Sequence, residues 1–195
     1  MTSGLRIPKA EISGAYGDQV KDFSRAMFGE VPESVEVMWH NPDVFKGIFG
    51  LLRSTDEWSG CDANLKSLAD MAVSALVGCS FCMDLGYFMA HNGELDEAKV
   101  REVPRWRQSD AFTPLERDVM GYAEAMSQTP PTVTDALFAR LLDALGPVAM
   151  VELTAWIAVS NLPSRMNVAM GIKSQGFSEV CELPLAEPSN VASPT

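Results

Sequence analysis

The chain has 195 residues, a net charge of −11, and 47% hydrophobic against 21% charged residues, a balance typical of a globular domain. Its length allows a hydrophobic core that needs no disulfide or metal for support. The acidic charge excludes nucleic-acid binding, because no basic stripe is present to neutralise phosphates, and it disfavours an anionic membrane surface.

The sequence predicts a cytoplasmic protein without a membrane-spanning helix. No stretch of about 18 uninterrupted apolar residues occurs, and the N-terminus lacks the charged and apolar regions of a signal peptide. In a reducing compartment, four cysteines that include one close pair indicate catalysis or metal binding rather than a structural disulfide framework.

Helices are predicted along most of the chain, beginning with residues 16–28 and 43–53, which are separated by breakers. In the next helix, apolar residues recur at i, i+3, i+4, i+7, i+8 and i+11 and form one stripe. The stripe consists of Leu65, Leu68, Ala69, Ala72, Val73 and Leu76. Gly78 ends this helix, and another is predicted from about Cys79 to His91.

The second half of the chain has sharper helix signals. The segment 113–116 combines a capping threonine, a proline at the first helical position and a glutamate that completes a capping box. A further helix begins near Thr134 and ends at Gly146, and Pro147 starts another that is predicted to end at about Leu162. No segment alternates apolar and polar residues for long enough to predict a strand. We therefore predict one all-α domain over residues 1–195, with its core over about 16–175 and tails at 1–13 and 181–195.

Cys79 and Cys82 are the first candidates for chemistry. Two thiols at this spacing can form a disulfide where the backbone is not yet a regular helix, and the first turn of a helix favours the thiolate. Thiol redox chemistry, incidental buried thiols and half of a zinc site are all compatible with the pair. Zinc would need further ligands, but Cys61 and Cys181 lie far away in sequence and His40 and His91 form no second close pair. The sequence therefore predicts no metal and no cofactor.

The order of helices around Gly78-Cys79-x-x-Cys82 resembles that of the carboxymuconolactone decarboxylase and alkylhydroperoxidase D-like family. The resemblance covers roughly residues 35–175 and is strongest at 77–82 and 112–117. It implies an all-α helical bundle with the cysteine pair at a helix N-terminus, assembled as a homo-oligomer (dimer, trimer or hexamer). It also implies hydroperoxide reduction by a pair that a thiol or protein reductant regenerates, with Cys82 as the attacking thiol and Cys79 as the resolving one. We therefore predict a cysteine-pair oxidoreductase that reduces a hydroperoxide or a disulfide. The residues alone suggest the reverse order, because Cys79 is closer to the helix terminus.

This chain departs from active peroxidases of that family at three positions. They carry a glutamate, a histidine between the cysteines and a second histidine where this chain has Ser67, Phe81 and Gly86. The loss of acid–base groups typically slows a reaction by about two to four orders of magnitude. Gly86 in a helix interior indicates either space for a substrate, water or side chain beside Cys82, or close packing of two helices. Phe81, Asp84 and Gly86 are the predicted substrate pocket, although Asp84 could instead bind a backbone group or disfavour the thiolate by charge repulsion.

Glu152 is the third predicted catalytic residue, because it interrupts an apolar helix over residues 148–159. A carboxylate in such a helix either pairs with a cation or has a raised pKa. It could form a buried pair with Arg165, or it could donate protons to the cysteine site. Two other functions stay open: a lactone- or carboxylate-handling enzyme of the decarboxylase branch, and a non-catalytic helical scaffold.

Overall fold

The structure is a computed structural model that describes residues 4–93, 95–181 and 184–187. Within these ranges it contains α-helices and short 3-10 segments and no strand, which confirms the predicted all-α fold. The helices are α1 (Gly14–Phe28), α2 (Glu33–Met38), α3 (Pro42–Ser54), α4 (Ala63–Val77), α5 (Ser80–His91), α6 (Glu97–Val100), α7 (Pro114–Ser127) and α8 (Asp135–Met170).

Helix α4 lies at the centre and packs against α5, α7 and α8. Most of its apolar stripe is fully buried, and only Leu76 at its C-terminal end is exposed. A second, smaller cluster surrounds Cys79 at the start of α5, and a third joins α1 to α3 through Trp39 and Phe45. The apolar stripe that the sequence predicts on α4 therefore lies at the centre of the largest core cluster.

Local sequence signals set most helix boundaries. Thr113 and Glu116 form the predicted capping box at the start of α7. Gly146 has φ 76° and ψ 168°, so α8 is kinked where the sequence predicts one helix to end and another to begin. The predicted end at about Leu162 is wrong: α8 continues through Pro163 to Met170. Burial of Asn167 and other residues of this last part by tertiary contacts outweighs the local effect of the proline.

The prediction of free tails is also wrong for the parts that the structure describes. In the N-terminal segment, Ile12 is buried and the backbone N–H of Arg6 donates to the carbonyl of Met170 at 2.9 Å. At the other end, Cys181 is buried and the N–H of Ala186 donates to the carbonyl of Arg101 at 2.9 Å. These segments are therefore tied to the bundle by tertiary hydrogen bonds, which sequence periodicity does not reveal. The remainder of the predicted tails lies outside the described residues.

Within the described ranges, α8 is the helix that is long and apolar enough to cross a membrane, with a mean hydropathy of 1.5 over an 18-residue window. Length and composition alone are weak evidence for a membrane-spanning helix, because core helices of water-soluble proteins meet the same criterion. In this structure α8 packs against α4 and α7 and carries Glu152 in an ion pair with Lys66. These contacts cover part of α8, and 22% of the apolar window is buried inside the described chain.

One side of α8 has no partner within the described chain. Val148 and Val151 are each 72% exposed. They begin a small apolar stripe with the alternating three- and four-residue spacing of helix–helix seams. The stripe continues through Ala155, Ala158 and Leu162.

We predict that this stripe is covered by a second copy of the chain, because burial of two valines contributes about 1.5–3 kcal/mol per side chain. Light scattering should report at least a dimer at micromolar concentration, and Val148→Glu with Val151→Glu should shift it towards the monomer. Val44→Glu on α3, which replaces another exposed valine, is the control and should leave the assembly unchanged. A monomeric wild-type protein would contradict the prediction.

Candidate active site

The cysteine pair lies at the junction of α4 and α5. Gly78 ends α4 with φ 77° and ψ 27°, a left-handed conformation that suits glycine and reverses the chain. Cys79 is the N-cap of α5, and its sulfur accepts a hydrogen bond from the backbone N–H of Cys82 at 3.2 Å. The two Cα atoms are 5.3 Å apart and the sulfurs are bonded as a disulfide. The predicted placement of the pair at a helix start is confirmed.

The two sulfurs differ in accessibility. Cys79 is 0% exposed and belongs to the apolar cluster that includes Phe81 and Phe177. Cys82 is only partly buried. A molecule that approaches from solvent therefore reaches Cys82 and not Cys79.

Cys82 also has a polar neighbour from α8. The side-chain amide of Asn167, which is itself buried, donates to the Cys82 sulfur at 3.4 Å. Ser160 and Ser164 precede Asn167 at i, i+4 and i+7 spacing, so all three lie on one face of α8. These three residues face two polar residues of α4, and we call the five the polar seam: Asp70, Ser74, Ser160, Ser164 and Asn167.

Two contacts join the two sides of the polar seam. The hydroxyls of Ser74 and Ser164 are 3.4 Å apart, and both residues are almost completely buried. Asp70 hydrogen-bonds with Ser160. Buried polar groups without partners are costly, so these contacts align α4 and α8 in one register. The seam thus connects a carboxyl group on α4 with the α8 face that contacts Cys82.

Burial raises the pKa of Asp70, and the hydrogen bond from Ser160 offsets this only in part. The carboxyl lies close to Gly86: a Cβ atom added at Gly86 would be 3.9 Å from Oδ2 of Asp70 and 3.2 Å from Cγ of Met71. Gly86 is one helical turn beyond Cys82, so Asp70 reaches from α4 towards the position where active peroxidases of the resembling family carry an imidazole.

Gly86 therefore supports close helix packing and not an open substrate pocket. The side chain of Met71 fills the space beside it. An imidazole at this position would have to displace Met71.

Phe81 and Asp84, the other predicted pocket residues, have structural environments. The Phe81 ring is buried and packs edge-on against Phe177 at a centroid distance of 6.0 Å. Asp84 is 2% exposed and binds the loop over residues 174–178. Its carboxylate accepts hydrogen bonds from the hydroxyl of Ser174 and from four consecutive backbone N–H groups at 2.6–3.1 Å, those of residues 175–178. The prediction that these two residues line a substrate pocket is therefore corrected. Phe81 belongs to the apolar core, and Asp84 is occupied by hydrogen bonds from the loop.

Burial raises the pKa of Asp84, but the hydrogen bonds from Ser178, Ser174 and Phe177 outweigh this effect. The pKa of Asp84 is therefore below its usual value. The carboxylate is therefore ionised at neutral pH and compensates for the unpaired donors of the loop. We call Asp84 with residues 174–178 the loop anchor.

Glu152 forms a buried ion pair, but with Lys66 and not with Arg165. The Lys66 ammonium donates to Oε1 of Glu152 at 2.7 Å, and the backbone N–H of Gly60 donates to Oε2 at 2.5 Å. Burial raises the pKa of Glu152, but these bonds outweigh it and the net pKa is lowered. Arg165 instead donates to Ser127 and Asn161.

The ionised, paired state of Glu152 does not suit a proton donor. Its described contacts are with the 58–66 segment and not with the cysteine pair. The geometry thus favours the structural interpretation of Glu152, and its predicted catalytic role is not supported by any contact with Cys79 or Cys82.

Sequence reasoning missed Asp70 and Asn167. Asp70 could have been noticed as a carboxylate within an otherwise apolar helix, the same argument that singled out Glu152. Asn167 had no comparable signal, because a helix was predicted only to about Leu162. His40 lies in the turn after α2, and its Nε2 is 2.8 Å from the carbonyl oxygen of Pro8.

Known proteins share both the sequence pattern and the fold. The model of the carboxymuconolactone decarboxylase family matches residues 42–125. The uncharacterized protein YnjA of Escherichia coli (strain K12) is 39% identical over 126 residues, which cover 65% of this chain and 68% of YnjA. The chain belongs to the carboxymuconolactone decarboxylase family. The uncharacterized protein YdfG of Bacillus subtilis (strain 168) is 25% identical over 114 residues, 58% of this chain and 78% of YdfG.

Solved structures show that this chain has the alkylhydroperoxidase D-like fold. A cysteine-to-alanine variant of the debrominase Bmp8 in complex with 2,3,4-tribromopyrrole has a TM-score of 0.77 at 22% identity, over 89% of this chain and 94% of Bmp8. An uncharacterized peroxidase-related protein with an alkylhydroperoxidase AhpD core, from Ralstonia eutropha JMP134, has a TM-score of 0.74 at 19% identity, over 91% and 98%. At these identities the likeness establishes the fold.

We predict that Asp84→Asn lowers the free energy of unfolding at pH 7 by about 1.5–3 kcal/mol or more, because an amide cannot accept all the bonds of the loop anchor. The folded-state pKa of Asp84 is depressed, so this stability is present above the ordinary value of 3.8 and is lost as pH falls through the folded pKa. Urea unfolding of both proteins across acid pH measures the difference, with the exposed Asp143→Asn as control. An equal cost for both variants would contradict the prediction.

Proposed function

We propose that this protein is a thiol–disulfide oxidoreductase in which Cys82 reduces a hydroperoxide and Cys79 resolves the product. The observation that carries the proposal is the asymmetry of the pair. The accessible sulfur, Cys82, receives the Asn167 hydrogen bond, and the buried sulfur, Cys79, forms the N-cap of α5.

The reaction has three steps. The Cys82 thiolate attacks the terminal peroxide oxygen, the O–O bond breaks, and the alkoxide that leaves takes up a proton to become an alcohol. The resulting Cys82 sulfenic acid is then attacked by Cys79, which releases water and forms the Cys79–Cys82 disulfide. An external thiol or protein reductant restores both thiols by exchange.

The site supports both thiolates. The positive end of the α5 dipole lies at the cysteine pair and favours a negatively charged sulfur. A hydrogen bond to a charged acceptor is also stronger than one to a neutral acceptor, so donors at this site stabilise the thiolate over the thiol. Asn167 supplies such a donor to Cys82, and the backbone N–H of Cys82 supplies one to Cys79. This accounts for reactivity without the histidines of the resembling peroxidases.

Asp70 is the proposed proton donor. Its raised pKa favours the protonated carboxyl, and its Oδ2 lies 3.9 Å from the Cβ position of Gly86, the residue one helical turn beyond Cys82. It thus stands in for the acid–base groups missing at Ser67 and Gly86. Transfer of its proton to the departing alkoxide completes the first step.

Reductive dehalogenation is a second candidate, favoured by the extent of the fold match to the debrominase Bmp8. The stoichiometry suits a cysteine pair: an aryl bromide and two thiols give the arene, a disulfide, bromide and a proton. Aromatic side chains beside the pair, among them Phe28, Phe88 and Phe177, offer an apolar environment of the kind that such a ring requires.

The test measures turnover of cumene hydroperoxide with dithiothreitol as reductant. Cys82→Ser should lower the rate by at least about a hundredfold, because the nucleophile is lost. In a separate single-turnover experiment without dithiothreitol, Cys79→Ser should consume one equivalent of peroxide and retain a sulfenic acid on Cys82, which mass spectrometry locates. Cys61→Ser, which replaces a buried free cysteine elsewhere, is the control.

Peroxide reduction that persists in Cys82→Ser, or a sulfenic acid on Cys79 in the Cys82→Ser variant, would overturn the assignment of roles. Bromide release from 2,3,4-tribromopyrrole with no reaction towards hydroperoxide would replace the first candidate by the second. Activity towards neither compound would reject both.

We predict that Asp70→Asn slows peroxide reduction at least about tenfold, because an amide cannot donate the proton, and yet raises the thermal midpoint at pH 7. The folded pKa of Asp70 is raised, so wild-type stability falls as pH rises from the ordinary value of 3.8 through the folded pKa. The stability gain of the variant should disappear below about pH 4, which scanning calorimetry can test. Asp22→Asn on the exposed side of α1 is the control. A variant that is equally fast, or that gains no stability at pH 7, would contradict the assignment.

A further inference from the structure

The structure brings three potential metal ligands together at the far end of α5. His91 is the last residue of α5, Glu97 is the first of α6, and Cys181 directly follows the 3-10 segment Phe177–Val180. Nδ1 of His91 and Oε2 of Glu97 are 2.8 Å apart, and the ligand atoms of all three residues lie within 4.8 Å of one another. His91 is nine residues beyond Cys82, about 14 Å along the helix, so the cluster is separate from the cysteine pair.

We propose that His91, Glu97 and Cys181 form a site for a divalent cation of the zinc type. Imidazole nitrogen, carboxylate oxygen and thiolate sulfur are the ligands that zinc prefers, at about 2.0–2.3 Å each. In a tetrahedral site such ligand atoms are roughly 3.3–3.8 Å apart, so side-chain adjustments on the order of 1 Å close the cluster around one ion.

The charge of the site fits a divalent cation. One thiolate, one carboxylate and a neutral imidazole neutralise a charge of +2, which matters because Cys181 is buried and the other two side chains are only about a quarter exposed. Three protein ligands leave one coordination position for water, on the side where His91 meets solvent.

A second layer of contacts orients the carboxylate. The hydroxyl of the fully buried Tyr87 donates to Oε1 of Glu97 at 3.2 Å, which leaves Oε2 directed towards His91. Such outer contacts fix the orientation of metal ligands and raise affinity. The site would connect the C-terminal segment to α5 and α6, next to the loop anchor that holds the same segment through Asp84.

The test uses the full chain with Cys79→Ser and Cys82→Ser, which removes the competing thiol pair. Equilibrium dialysis against Zn²⁺ should give one ion per chain, and Co²⁺ in its place should show a thiolate-to-metal charge-transfer band. Cys181→Ser and His91→Gln should each weaken zinc binding at least about tenfold, and Tyr87→Phe about 10–100-fold. Cys61→Ser is the matched control and should bind zinc unchanged.

Failure to bind zinc at micromolar concentration, a Co²⁺ spectrum without the thiolate band, or unchanged binding in Cys181→Ser would overturn the proposal. The Co²⁺ spectrum needs no variant at the site itself, so a misfolded variant cannot decide the result. Peroxide turnover is not a readout here, and the outcome is therefore independent of the redox proposal.

Discussion

The packing of α4 against α8 is the constraint on which the candidate active site depends. Each helix presents an apolar face to the core, but apolar packing alone would allow neighbouring registers. The buried pair Ser74 and Ser164, and the contact of Asp70 with Ser160, restrict the register because a shift would leave these polar groups without partners. In that register the Asn167 amide donates a hydrogen bond to the Cys82 sulfur, so the helix that closes the core also contacts the cysteine pair.

Two carboxyl groups on these same helices show how surroundings decide protonation. Glu152 faces the Lys66 ammonium and the backbone of Gly60, and its pKa is lowered despite burial. Burial raises the pKa of Asp70, and the hydrogen bond with the Ser160 hydroxyl offsets this only in part. Both residues interrupt apolar helices in the same manner, yet the pKa of Glu152 is lowered and that of Asp70 is raised.

The C-terminal segment is held both by polar contacts with Asp84 and by apolar contacts such as those of Phe177. Asp84, two residues after Cys82, accepts hydrogen bonds from the backbone N–H groups of a loop that packs against α5. The loop carries Phe177, whose ring packs against Phe81 and closes the apolar environment around Cys79. The negative charge of Asp84, two residues from Cys82, is therefore stabilised by local hydrogen-bond donors.

The sequence by itself determined most of the longer helices, the capping box of α7 and the cysteine pair at the start of α5. These features depend on interactions within a few residues: the apolar period of α4, the left-handed Gly78, and the box formed by Thr113 and Glu116. Only the tertiary structure decided which cation Glu152 meets, what fills the space beside Gly86, and that Asp70, Asn167 and Cys82 share one region. Those outcomes depend on the register between helices distant in sequence, which is set by the packing of whole faces and by buried polar pairs. No local pattern in a single chain encodes that register.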